Sequence, residues 1–128
     1  MEKLVYCDTH VIVWLYANEL SLFPRQAIKL MELNQLMISP AVILELEYLY
    51  EVGKIKVGSQ KIFNELEKAI DLKICPQPFI KVIEESLKKS WTRDPFDRLI
   101  TAQASIMKSP LLTRDETIHK NYPHAVWD

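Results

Sequence analysis

The stretch KLVYCDTHVIVWLY, residues 3–16, contains the pattern on which the fold turns. Its first part, KLVYC (3–7), is a short apolar run, which predicts a strand buried inside a sheet. The run stops at Asp8. Thr9 can then cap a short helix that continues through Tyr16.

The same alternation extends along the chain. PRQAIKLMELN (24–34) predicts a helix opened by Pro24, with Ala27, Leu30, Met31 and Leu33 on its apolar side. QLMIS (35–39) predicts a second strand. Ser39-Pro40 opens the helix PAVILELEYLYEV, which ends near Gly53. Ser59 can cap the next helix, which has Ile62, Phe63, Leu66, Ala69 and Ile70 on one face. LKIC (72–75) is a third strand, and Pro76 and Pro78 then break the chain. A helix with Phe79, Ile80, Ile83 and Leu87 at helical spacing follows. Another begins at DPFDR and runs to about Lys108. PLLT (110–113) and AVW (125–127) predict two more strands, with a short helical turn between them. Apolar strands alternating with amphipathic helices give an α/β fold, a three-layer sandwich around a mostly parallel sheet of four or five strands. No linker, repeat or low-complexity segment divides the 128 residues, so a single domain spanning 1–128 is expected.

Composition narrows the function. The formal net charge is -1, so no global basic field draws in nucleic acid, and a polyanion would have to be met by local basic groups or a metal. The only glycines are Gly53 and Gly58, which excludes a glycine-rich dinucleotide loop and a P-loop. Cys7 and Cys75 sit singly in apolar runs and read as small buried hydrophobes, not a disulfide. The start, Met1 to Leu4, does not read as a signal peptide, because Asp8 cuts the following apolar stretch. The longest apolar run, Val11 to Ala17, is too short to span a bilayer. A soluble, cytoplasmic protein with no membrane partner is expected.

Ligand sites in parallel sheets lie beyond the carboxyl ends of the strands, and this rule selects the acids. Asp8 follows the first strand directly. Asp115 follows LLT by two residues. Each is also explained as an ordinary turn or cap residue. Glu45 is more telling: Val42, Glu45, Leu46 and Leu49 follow i, i+3, i+4, i+7 spacing, so a carboxylate shares the apolar stripe of its helix. An unpaired buried carboxylate is costly and needs a cation or strong donors. Glu47, near Glu51, reads as a solvated surface charge. In RDPFDRLITAQA (93–104), Asp94 is the natural N-cap and Pro95 the first helical residue. Asp97 then lines up with Ile100, Thr101 and Ala104 at the edge of the buried face. Asp8, Glu45, Asp97 and Asp115 can thus meet at one end of the sheet. Mg²⁺ or Mn²⁺ would relieve their repulsion. One or two such ions, about 4 Å apart when paired, suit phosphodiester hydrolysis.

These motifs resemble the PIN-domain ribonucleases, in particular VapC-type toxins of toxin–antitoxin pairs. VYCDTHVIVWL (5–15) resembles the family's opening strand and first aspartate. ISPAVILELEYL (38–49) is similar to its Ser-containing segment leading to a glutamate. RDPFDRLITAQA matches a DPFDR subgroup, and PLLTRDETI (110–118) looks like the closing Thr-x-Asp segment. The resemblance implies a Mg²⁺- or Mn²⁺-dependent endoribonuclease, often a homodimer, silenced by a cognate antitoxin. It implies metal and catalytic roles for Asp8, Glu45, Asp97 and Asp115. Asp94, Thr9 and Thr113 would support them, by capping or by orienting carboxylates and waters. Arg93, Arg98 and Arg114 lie beside these acids. They can hold substrate phosphate or neutralise the acid cluster, and both readings stay open.

Other constellations are weaker. His10, His119 and His124 show no i, i+4 pair for a helical zinc site, and His10 reads as a helix-surface residue. Trp14, Trp91 and Trp127 are dispersed and read as core or interface residues. Tyr48 to Tyr50 and the helix 59–70 fit either a second subunit or the core. An aspartate-based phosphatase would place a second acid where His10 stands, and a phosphoacceptor domain would place a lysine after PLLT. The alternative of another class is a catalytically silent module that binds RNA or protein.

Overall fold

A computed structural model describes residues 3–128; Met1 and Glu2, part of the start discussed above, lie outside the described residues. The elements run β1 (Leu4–Cys7), α1 (Thr9–Tyr16), α2 (Arg25–Leu33), β2 (Gln35–Ile38), α3 (Pro40–Glu51), α4 (Ser59–Ile70), β3 (Lys73–Ile74), α5 (Phe79–Ser86), α6 (Pro95–Ile106), β4 (Leu111–Leu112), α7 (Glu116–Asn121) and β5 (Ala125–Val126). A 3-10 turn at Leu20–Leu22 links α1 to α2.

All five strands are parallel, in the order β3-β2-β1-β4-β5. Val5 stands opposite Leu36, Tyr6 opposite both Met37 and Leu111, and Cys7 opposite Leu112. The central position of β1 explains its composition: Val5, Tyr6 and Cys7 are all buried, as a strand covered on both faces requires. The chain first builds outward from β1 through β2 to β3, then returns to add β4 and β5 on the other side. Strand order therefore reverses between β1 and β4, the place where such sheets open a crevice.

Local chemistry sets most helix limits. Ser39 accepts a hydrogen bond from Ala41 N at 3.0 Å and caps α3, and Pro40 takes its first position. The end of α3 is followed by Gly53 at φ 80, a conformation that costs glycine little. Two caps differ from the expectation. Asp8, not Thr9, is the N-cap of α1. Gly58 stands at the N-cap of α4, and the capping acceptor comes from another helix: Glu47 Oε1 receives Ser59 N at 3.1 Å and Ser59 Oγ at 2.9 Å. Glu47 is thus a tie between α3 and α4, not a free surface charge.

The expected face of α5 is also corrected. Val82 and Ser86 are the buried residues, whereas Phe79, Ile80 and Leu87 are 70%, 64% and 66% exposed. Small Ser86 lets the α5 backbone approach α6, and its carbonyl accepts both Nε and Nη2 of Arg98, at 3.3 and 3.2 Å. Leu33 of α2 is likewise exposed. Both cysteines are free and buried, and Cys75 Sγ lies 2.9 Å from the Tyr6 hydroxyl. No helix among the described residues is long and apolar enough to cross a membrane.

Candidate active site

The crevice between β1 and β4 is where the acids gather. Asp8 follows β1 and caps α1. Asp94 caps α6, accepting from Phe96 N at 2.8 Å and Asp97 N at 3.3 Å. Asp115 caps α7, accepting from Ile118 N at 2.9 Å. Capping and site-building are therefore the same act for these three residues. Their carboxylates sit where backbone N–H groups are unsatisfied and the helix dipole favours negative charge. Glu45 enters from the middle of α3, and Asp97 from the first turn of α6.

Two threonines bind this set together. Thr113, buried at the end of β4, donates from Oγ1 to Asp8 Oδ2 at 2.6 Å and accepts from Asp115 N at 3.1 Å. Thr9 donates its hydroxyl to Glu45 Oε1. Its backbone N donates to Asp8 Oδ1 at 2.8 Å. Asp8 is thus clamped on both oxygens, and Glu45 is held to the same frame through Thr9.

A cleft of about 380 Å³ is lined by Asp8, His10, Val11, Trp14, Glu45, Asp94, Asp97, Arg114 and Asp115. None of its five carboxylates forms an ion pair among the described residues, where the only pairs are made by Asp71 and Glu85. The electrostatic result is plain. Burial raises the pKa of Asp8, against the pull of its Thr113 and Thr9 hydrogen bonds. Burial and then the charges of Asp8 and Asp94 raise that of Glu45. Asp97 is pushed up to about 7 by burial and by Asp8, Asp94, Asp115 and Glu45.

A family model described as PIN domain matches residues 5–122. The chain belongs to the PIN-domain family. Solved structures share the fold. One described as VapBC2 from Rickettsia felis bound to a DNA fragment from its promoter has a TM-score of 0.62 at 21% identity, covering 98% of this chain and 99% of that one. DNA-bound VapBC from Salmonella typhimurium gives 0.60 at 20% identity, covering 97% and 95%. VapBC-1 from nontypeable Haemophilus influenzae gives 0.58 at 16%, covering 98% and 96%. Comparison with the curated proteins gives no match.

The donor set of this PIN domain is chemically suited to a hard divalent cation: it is all carboxylate oxygen, partly buried and, among the described residues, free of ion pairs. Among the described residues, no three such side chains are drawn tightly enough to cage an ion by themselves. The acids line the cleft and do not close on one point. Mutual repulsion favours that spacing, and the oxygens of Asp8 are already engaged by Thr9 and Thr113. The arrangement fits Mg²⁺ or Mn²⁺ held by a few carboxylates with waters completing the shell.

Of Arg93, Arg98 and Arg114, only Arg114 reaches the cleft. Arg114 borders it, with its guanidinium carbon 6.0 Å from the centre of the Trp14 ring. Arg98 is committed to the carbonyl of Ser86, and Arg93 donates from Nη1 to the carbonyl of Ser90 at 2.8 Å. Both side chains turn back to the end of α5 and the loop behind it, away from the acids beside them in sequence. Conversely, His10 and Trp14 line the cleft, with ring centroids 6.0 Å apart. Their i, i+4 spacing behind Asp8 is the signal that places them on the cleft side of α1.

Proposed function

We propose that this PIN domain is a metal-dependent endoribonuclease that hydrolyses RNA phosphodiester bonds and acts as the toxin of a VapBC-type toxin–antitoxin pair. The observation that carries the reading is the set of unpaired carboxylates lining one cleft. Asp8, Glu45, Asp97 and Asp115 would hold one or two Mg²⁺ or Mn²⁺ ions. Such an ion, when bound, lowers the pKa of an attacking water and offsets charge on the leaving oxygen.

The chain's own residues supply the rest. Thr113 and Thr9 fix the direction of the Asp8 and Glu45 carboxylates. Burial and the surrounding acids raise the pKa of Asp97 to about 7, and a cation in the cleft would lower it. Asp94 holds the start of α6 so that Asp97 faces inward. Arg114 is the candidate for holding a substrate phosphate, since its guanidinium borders the cleft without a carboxylate partner among the described residues.

The toxin role draws support from the solved structures that share the fold, several of which are toxin–antitoxin complexes. A cognate antitoxin, a homodimeric state and a cytoplasmic site of action belong to the same proposal. The test is cleavage of total cellular RNA by wild type and Asp8→Asn, each in EDTA, Mg²⁺ and Mn²⁺. Cleavage by wild type with metal alone supports the reading. Absence of both cleavage and calorimetric metal binding overturns it in favour of a silent interaction module.

A further inference from the structure

Beside the acid cleft lies a second groove of about 470 Å³, lined by Arg114, Glu116, His119, Lys120, Trp127 and Asp128. Arg114 borders both depressions. Trp14 walls the cleft and Trp127 walls the groove. Their rings are in contact, with centroids 5.8 Å apart and planes inclined at 59°. Phe23 backs both indoles, at 6.2 Å from Trp14 and 5.3 Å from Trp127. The two tryptophans are therefore held from behind and only partly covered.

The groove is also fixed relative to the acids. His119 Nε2 lies 2.6 Å from the carbonyl oxygen of Thr113, to which it donates. Thr113 is the residue whose hydroxyl holds Asp8. One short segment thus orients a site carboxylate on one side and anchors the groove helix, α7, on the other. Arg114 and Lys120 are exposed and make no ion pair among the described residues. Glu116 and Asp128 share the lining, so the surface is mixed in charge and any phosphate contact must be local.

We propose that this groove is the subsite for the RNA segment that leaves the acid cleft on one side of the scissile phosphate. Trp127 offers a ring face to an unpaired base, and Arg114 and Lys120 hold backbone phosphates. Stacking of this kind accepts any base. It also explains how a chain of net charge -1 meets a polyanion: the cations are few but lie next to the chemistry. The proposal rests on the nuclease reading and adds the path of the substrate.

The test is binding of a fluorescein-labelled, mixed-sequence, ten-nucleotide single-stranded RNA, followed by anisotropy across a salt series. Ca²⁺ is supplied to neutralise the cleft. Lys120→Gln is expected to reduce the slope of log K against log salt by about 0.7, the loss of one phosphate contact on a single strand. Trp127→Leu is expected to weaken binding roughly five- to hundredfold, with Trp127→Phe close to wild type. A merely structural role for Trp127 would lower the unfolding temperature without separating Leu from Phe in RNA affinity. Should Trp127→Leu fail to fold, the Lys120→Gln slope decides alone. Variants that bind as wild type does, with an unchanged slope, overturn the subsite while leaving the nuclease reading intact if wild type still cleaves total RNA. A wild type that binds no RNA overturns the subsite, and the cleavage assay then judges the nuclease reading separately.

Discussion

Two carboxylates at opposite ends of α6 are treated in opposite ways. Glu85, on α5, faces the end of α6, where the Ser105 hydroxyl donates to it at 2.7 Å. Lys88 and Lys89 lie 3.3 and 3.4 Å from its oxygens. Its pKa is lowered, first by the Ser105 hydrogen bond and then by the lysines, against the opposing effect of burial. Asp97, in the first turn of α6, has four other acids around it and no cationic partner among the described residues, and its pKa rises to about 7. The contrast shows that this fold supplies lysines and a hydroxyl where an acid serves as a strut. In the cleft, Arg114 is present but forms no ion pair with the acids among the described residues. Asp97 is not needed as a cap either, because Asp94 fills that position. Its charge is tolerated at a cost to the fold, which makes Asp97 a candidate for holding a ligand.

Substitution should separate the two acids sharply. The largest effect is expected for Asp97→Asn, which should lower RNA cleavage roughly hundredfold or more, since even the partners of metal ligands cost 10–100-fold when removed. Glu85→Gln should leave cleavage unchanged, and the same total-RNA assay checks both. Equal losses would erase the distinction between the two ends of α6.

Added Mg²⁺ should raise the melting temperature of wild type, by the equivalent of about 2.7 kcal/mol at a hundredfold excess over its dissociation constant. The rise should largely vanish in Asp97→Asn. Differential scanning calorimetry measures it, and no stabilisation of wild type by any divalent ion would sink the metal assignment.

The pH dependence of the metal-free protein is smaller and has a definite sign. Asp97 binds its proton more tightly folded than unfolded, so its contribution is fully present below the ordinary value of 3.8 and is lost as pH rises through about 7. Asp97→Asn should therefore flatten the decline and stabilise the metal-free protein at pH 8. The gain is expected to be about 1 kcal/mol, modest because solvent screens a half-buried group. Chemical denaturation at pH 5 and 8 tests this, and a destabilised variant at pH 8 would contradict the electrostatic picture.

Asp94→Asn should be milder in cleavage than Asp97→Asn, because asparagine also caps well, whereas Asp94→Ala should cost about 1 kcal/mol of stability. Equal damage from Asp94→Asn and Asp97→Asn would show that Asp94 does more than cap. The smallest effect belongs to Glu85→Gln, less than about 1 kcal/mol at neutral pH. Its lowered pKa means that the contribution is present above 4.5 and is lost as pH falls through the folded value. Urea titration at pH 7 and pH 3 would show the variant's deficit shrinking in acid.

Much of the site was legible because its residues do local work as well. Asp94 and Asp115 announce themselves as caps, and Asp8 as the acid that ends a buried strand. Glu45 stands out by breaking an apolar stripe at helical spacing. Ser39-Pro40 and Asp94-Pro95 mark helix starts by sterics and unsatisfied N–H groups, which depend on neighbours in the chain alone. The strands KLVYC, QLMIS and PLLT were readable because a parallel sheet covered on both faces demands continuous apolar runs. By contrast, Arg93 and Arg98 stand beside the acids in sequence but do not line the cleft. Their partners, Ser90 and Ser86, come from the preceding segment, and only the packing of α5 on α6 presents those carbonyls. Glu47 reads as solvated until α4 brings Ser59 to it.

The amino-acid sequence by itself determined the alternation of strand and helix, the caps, and which acids stand at strand or helix ends. Those follow from backbone sterics, hydrogen-bond valence and burial period over a few residues. The tertiary structure alone decided that α5 buries Val82 and Ser86 and leaves Phe79 and Ile80 outside. It also decided that Arg114, and not Arg93 or Arg98, borders the acids, and that Trp14 meets Trp127. Such outcomes depend on strand order, β3-β2-β1-β4-β5, which brings Asp8 beside Thr113 across a separation of 105 positions. No local rule carries that distance, because the free energy that chooses it is shared among the whole core.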